Sequence, residues 1–428
     1  MKKRFSKLMA IAMVFALIFA FAAIPASAAT NYSPLVVSTS TANHTTTLKK
    51  YLVVDEDATI PNKTFNFSVA AGSAIAATGS TVAVIPGPVV TDAQSAVTAP
   101  TITQTTAFAP NDTTYTTVQS GDTSVTLSTG QKYAKQEVVV NLDGVTFTEP
   151  GVYRYVLTED TQTSPYSNTG SNPLYLDVYV VNDTTDRTLK IDGYVLHSDA
   201  NAPASDATSS GTAEPSGNTK ADGFENEYDT KNITVSKAVS GNQASKDKYF
   251  AFTVTIDNAN EGDKYVVSYA DDGNANTADG NADASISANP NAATTVITSD
   301  VTQPTVLTVG DGGTVSQVFY LQDGQSIVIR GLGKGVTYTV TENEEDYTPS
   351  VILNGDDDAT NVDNSSHGTF GKTGRVDADI TAAFTNTRQG VIPTGVLLTV
   401  APFAIGLLLF GALAIFFIAR KKKRAEEE

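Results

Sequence analysis

The stretch Phe250-Ala-Phe-Thr-Val-Thr-Ile256 puts its apolar residues at 250, 252, 254 and 256, one every second position. Period-2 alternation of aromatic and β-branched residues is the mark of a strand with one face buried. Phe65, Phe67 and Val69 repeat the pattern, and Pro173–Asp183 (PLYLDVYVVND) carries a denser version of it. Turn signals such as Asp143-Gly144, Asp272-Gly273 and Asp323-Gly324 separate the runs. No stretch of the body has the 3.6 period of an amphipathic helix. The expected class is all-β, built as two tandem β-sandwiches.

Both ends of the chain read differently. Lys2, Lys3, Arg4 and Lys7 precede an apolar run from Leu8 to Ala23 and then Ala26-Ser27-Ala28, which predicts a secretory signal peptide over residues 1–28. At the other end Val396–Ala419 is uncharged and long enough for a transmembrane helix, and residues 420–428 form a tail that begins with five basic residues. Ala29–Thr394 then carries 19 basic and 43 acidic residues, a net −24. A surface of that sign repels nucleic acid. There is no cysteine, so an exported chain does without disulfides, and three scattered histidines offer little for a metal site. The run Asp271–Asp283 has oxygen ligands at alternate positions but lacks the glycine and glutamate of a calcium loop, and reads as an acidic turn.

Three short patterns occur twice, in the same order. Thr47-Leu-Lys-Lys50 matches Thr234-Val-Ser-Lys237, Tyr155-Val-Leu-Thr-Glu159 matches Tyr338-Thr-Val-Thr-Glu342, and Phe224-Glu-Asn226 matches Phe384-Thr-Asn386. In each, the polar residue lies two after an apolar one and so shares its face. Lys49, the alternative to Lys50, falls on the opposite parity. A buried lysine or glutamate without a partner costs several kcal/mol. The three groups are therefore expected to meet inside each sandwich. Burial lowers a lysine pKa and raises a glutamate pKa. A neutral amine can then attack the asparagine side-chain carbonyl, with the glutamic acid polarising the oxygen and passing protons to the departing ammonia. The product is a Lys–Asn isopeptide bond, formed without a cofactor.

The motif Val391-Ile-Pro-Thr-Gly395, the apolar span and the basic tail resemble a cell-wall sorting signal of Gram-positive surface proteins. That resemblance implies that a sortase cleaves between Thr394 and Gly395 and passes the Thr carbonyl to an amine. The pentad departs from the common Leu-Pro-x-Thr-Gly and looks more like the Val-Pro-Thr-Gly of streptococcal backbone pilins. Taken with FTEPGVYRYVLTED (147–160), ITVSKAVSG (233–241) and VTYTVTENEEDYT (336–348), the chain resembles sortase-assembled backbone pilins over essentially its whole length.

The resemblance implies two isopeptide-linked Ig-like domains, 29–228 and 229–388. Lys50 would be joined to Asn226 with Glu159 catalysing, and Lys237 to Asn386 with Glu342 catalysing. It also implies an acceptor lysine just before the asparagine strand of the first domain, here Lys220. The implied partners are a sortase, further copies of the chain, cell-wall peptidoglycan, tip or base pilins and host surface ligands. The implied place is the cell surface. The leading expectation is thus the structural subunit of a covalent pilus. A singly anchored adhesin on a cross-linked stalk is the alternative, and an anchored enzyme is a third class for which no convergent catalytic set is present.

Overall fold

Phe250–Asp257 forms a strand in which buried and partly exposed residues alternate without a break. Four apolar side chains thereby enter one core, each contributing about 2 kcal/mol from its removal from water. The computed structural model describes residues 44–390, except 80, 90–98, 144, 183–187, 203, 206–219, 247, 271–305 and 365–367. The expected signal peptide, the sorting motif with Thr394 and Gly395, the apolar span, the basic tail, His367 and the acidic run 271–283 lie outside the described residues. Among the described residues no helix is long and apolar enough to cross a membrane.

The fold is all-β. Seven strands of six residues or more make up the first part: β1 (Thr45–Asp55), β2 (Lys63–Ala71), β3 (Gln131–Asn141), β4 (Gly151–Glu159), β5 (Leu174–Asn182), β6 (Leu189–His197) and β7 (Gly223–Tyr228). Nine make up the second: β8 (Thr230–Ser240), β9 (Phe250–Asp257), β10 (Lys264–Ala270), β11 (Val315–Leu321), β12 (Ser326–Gly333), β13 (Thr337–Asn343), β14 (Thr348–Asn354), β15 (Thr369–Arg375) and β16 (Ile380–Thr387).

Each part pairs two sheets around its own apolar cluster. In the first, β7–β1–β3 faces β6–β5–β4–β2 over Leu48, Leu52, Phe65, Phe67, Leu157 and Phe224. In the second, β10–β12–β8–β16–β14 faces β11–β9–β13–β15 over Val235, Phe252, Phe319, Ile329, Val340 and Phe384. The opening strand of each part lies parallel to its closing strand, β1 with β7 and β8 with β16. Parallel neighbours need a long crossover, so almost all of each part is threaded between the two strands that carry its lysine and its asparagine.

Only Asp229 separates β7 from β8. Around this joint Asn62 N donates to Asp263 Oδ1 at 2.6 Å, Arg330 Nη1 to Asp57 Oδ2 at 2.8 Å and Lys264 Nζ to Asn111 Oδ1 at 3.0 Å. Since β1 runs toward the joint and β8 away from it, Thr45 and Thr387 mark opposite ends of the molecule.

Candidate functional sites: two buried Lys–Glu–Asn sets

Strand parity turns all six repeated polar residues inward. Lys50, Asn226, Glu342 and Asn386 are 0% exposed, Glu159 1% and Lys237 2%. The registers of the two sets coincide. Lys50 pairs with Phe224 and Leu52 with Asn226; Lys237 pairs with Phe384 and Val239 with Asn386. In each set the asparagine thus lies two residues beyond the lysine's partner, a diagonal that a long side chain reaches on a shared face. The glutamates come from the opposing sheets, where Glu159 pairs with Phe67 and Glu342 with Phe252.

In the first set Lys50 Nζ lies 2.9 Å from Glu159 Oε2 and donates a short hydrogen bond to Asn226 Oδ1. In the second, Lys237 Nζ lies 2.7 Å from Glu342 Oε1, and Asn386 Nδ2 donates to the same oxygen at 2.8 Å. The Lys237 contact is off the line of a hydrogen bond, so its amine has no aligned acceptor. Asn226 Nδ2, Asn386 Oδ1, Glu159 Oε2 and Glu342 Oε2 are likewise without an aligned partner. Burial lowers both lysines to about 8 against the pull of their glutamates. It raises both glutamates against the pull of the lysines. Both shifts favour the uncharged forms that an amine attack on an amide requires.

Two aromatic residues complete each set, which alternation alone marks only as strand formers. Lys50 Nζ stands 4.4 Å from the centroid of Phe65, and Lys237 Nζ 4.3 Å from that of Phe250. Phe67 packs on Phe224 at 5.5 Å and Phe252 on Phe384 at 5.1 Å. The signal was there to be read: Phe65-Asn-Phe67 and Phe250-Ala-Phe252 are a fourth repeated pattern.

Lys49 takes no part in this chemistry. It lies on the other face of β1, where its Nζ donates to Asp122 Oδ1 at 2.6 Å and Asp222 Oδ2 at 3.1 Å. Lys220 is half-buried and forms an antiparallel bridge with His197. It precedes β7, at the end of the first part away from the joint.

Over 307 residues the chain is 28% identical to a pilin of Streptococcus pyogenes serotype M1, covering 70% of this chain and 76% of that one. This chain is similar to a streptococcal pilin. Residues 231–388 match the family described as "Domain of unknown function (DUF7601)". Among solved structures, a major pilin from Streptococcus pyogenes aligns with a TM-score of 0.47 at 20% identity, covering 81% of this chain and 99% of that one. The T3.2 major pilin of the same species aligns with a TM-score of 0.48 at 18% identity, covering 81% and 98%.

Proposed function

We propose that this chain is the structural subunit of a covalently polymerised, cell-wall-anchored pilus, and that its two parts are Ig-like pilin domains, 29–228 and 229–388, each closed by a self-formed isopeptide bond. The observation that carries the cross-links is the repeated geometry: two interior Lys–Glu–Asn sets in one register, each facing a phenylalanine and each leaving polar atoms unsatisfied. A buried polar atom without a partner costs about 1–3 kcal/mol. Condensation replaces the amine and the amide nitrogen by one planar amide and expels ammonia, which relieves that cost. The new bond joins Lys50 Nζ to Asn226 Cγ, or Lys237 Nζ to Asn386 Cγ. The bond from that carbon to Nδ2 breaks, and the glutamic acid carries the proton from one nitrogen to the other.

Polymerisation is supported by the similarity to a pilin and by topology. Lys220 lies at one end of the molecule, and the chain leaves β16 toward the sorting motif at the other. Transfer of the Thr394 acyl group from a sortase to Lys220 of another copy would therefore build a head-to-tail fibre. Transfer to peptidoglycan would anchor its base. The similarity also supports tip or base pilins and host surface ligands as further partners. Gel analysis of cell-wall extracts tests the reading. A ladder of high-mass species that disappears in Lys220→Ala is expected. A single band in the wild type would leave a singly anchored surface protein with a cross-linked stalk.

A further inference from the structure

The outer face of the sheet β6–β5–β4 carries a polar row that the cross-links do not use. Tyr175 on β5 pairs with His197 on β6, and the bridge from His197 to Lys220 extends the row by one residue. Directly opposed residues share a face. Asp177 lies two residues after Tyr175 and faces the same way, and Arg154 on β4 is paired with it.

Arg154, Asp177 and His197 form one connected, buried group. Arg154 Nε and Nη2 donate to the two oxygens of Asp177 at 2.6 and 2.8 Å. His197 Nε2 lies 3.3 Å from Asp177 Oδ2, and its ring stacks on Tyr175 with centroids 5.7 Å apart. Arg154 spends its other donors on Ala200 O at 2.9 Å and Ala202 O at 2.7 Å. Those carbonyls belong to the limb of chain that leaves β6, and Lys220 ends the limb that returns. Ala221 N closes the base by donating to Leu196 O at 3.0 Å.

The far flank of Lys220 is held as well. Asp222, also buried, accepts from Tyr51 OH at 2.6 Å, Ser124 N at 2.7 Å and Lys49 Nζ at 3.1 Å. A lysine that merely solubilises a loop needs neither clamp. Burying an arginine, an aspartate and a histidine is expensive unless they are paired, and here the arginine is tied to the limb that leaves β6 while the backbone of the histidine bridges to Lys220.

We infer that Arg154, Asp177 and His197, with Asp222 on the opposite flank, are positioning residues that seat Lys220 for attack on the acyl-sortase. This rests on the reading of Lys220 as the acceptor. In the step they serve, Lys220 Nζ as a neutral amine bonds the Thr394 carbonyl carbon. The bond from that carbon to the sortase nucleophile breaks, and the proton lost by the amine balances the one gained by the departing nucleophile. The seat holds the backbone at Lys220 so that little orientational freedom is lost at the encounter.

The test uses the full precursor, expressed with the sortases of its own organism, and compares four variants by wall-extract gel and intact mass. Lys220→Ala removes the ladder if the acceptor reading holds, and a surviving ladder would overturn that reading and the seat together. Thr219→Lys combined with Lys220→Ala moves the amine one residue along the chain from the seat. It is expected to leave the ladder about tenfold or more below wild type. His197→Gln and Asp177→Asn are expected to lower the ladder similarly, while monomer anchored in the wall and the two-ammonia mass deficit stay as in wild type. A full ladder from the shifted lysine would show that any lysine in this loop serves, and would sink the seat while sparing the acceptor. So would a full ladder from His197→Gln with normal mass.

Discussion

Asn226 and Lys237, which close the first interior set and open the second, stand on strands separated by Asp229 alone. The backbone from Lys220 therefore runs through β7 directly into β8 and reaches the second cross-link without passing through any other strand. On the proposed assembly, tension enters at Lys220 and leaves near Thr394. The covalent route is then residues 220–237, the Lys237–Asn386 bond and residues 386–394. The two bonds differ in kind. The second lies in series with the load, whereas the first ties the remainder of its sandwich to a strand that already bears it.

Pulling single molecules between positions 220 and 390 should expose that difference. The chain has no cysteine, so Lys220→Cys and Gly390→Cys give unique handles. Glu342→Ala should let the segment between Lys237 and Asn386 unravel, adding roughly 500 Å at about 3.4 Å per residue. Glu159→Ala should add no such step. Equal extension in both variants would refute the assigned load path.

Intact mass reads the bonds directly. The exported wild-type chain should be lighter than its sequence by two ammonia molecules. Glu159→Gln and Glu342→Gln should each restore one, because a glutamine keeps the shape but cannot carry the proton. Complete ammonia loss in both variants would remove the catalytic role of the glutamates.

Much of the interior chemistry was legible because strand parity alone decides which face a residue takes. Lys50 and Lys49 differ by one position, and the structure puts one beside Phe65 and the other beside Asp122 and Asp222. The parallel register that sets Asn226 beyond the partner of Lys50 depends on pairing between strands some 170 residues apart, about which local pattern is silent. Arg154 and Asp177 were hidden for a different reason. Their alternation marks an outward face, and only the passage of Ala200 and Ala202 over that face turns it into an interior. Tyr51 and Val53 are buried on the outer side of β1 in the same way, against Val125 and Tyr133.

Phe250 should govern how readily the second bond forms. Its ring lies on Lys237 Nζ and excludes water from the amine. Phe250→Leu keeps an apolar core residue but opens space beside the nitrogen, and the stability cost should stay within about 1–3 kcal/mol. Incomplete loss of the second ammonia is expected, with the first unaffected. Full conversion at the wild-type rate, followed by mass during refolding, would show that the ring only packs.

Asn386→Ala should give a chain whose stability depends on pH through the unlinked pair. Lys237 is depressed to about 8 from 10.5, so the unfolded chain binds its proton more tightly, and stability should rise from pH 8 to 10.5. Glu342 is raised above 4.5, so the folded chain holds the proton more tightly, and its contribution is full below 4.5 and lost as pH rises through the folded value. The melting temperature of Asn386→Ala should therefore fall as pH rises from 4.5 through the folded value of Glu342 and recover between pH 8 and 10.5. In the linked chain the lysine nitrogen is an amide and no longer titrates, so the alkaline rise should be missing from its Lys237 site. Subtracting the two melting profiles isolates that difference, and parallel profiles from pH 8 to 10.5 would mean that Lys237 is already a free amine in the wild type.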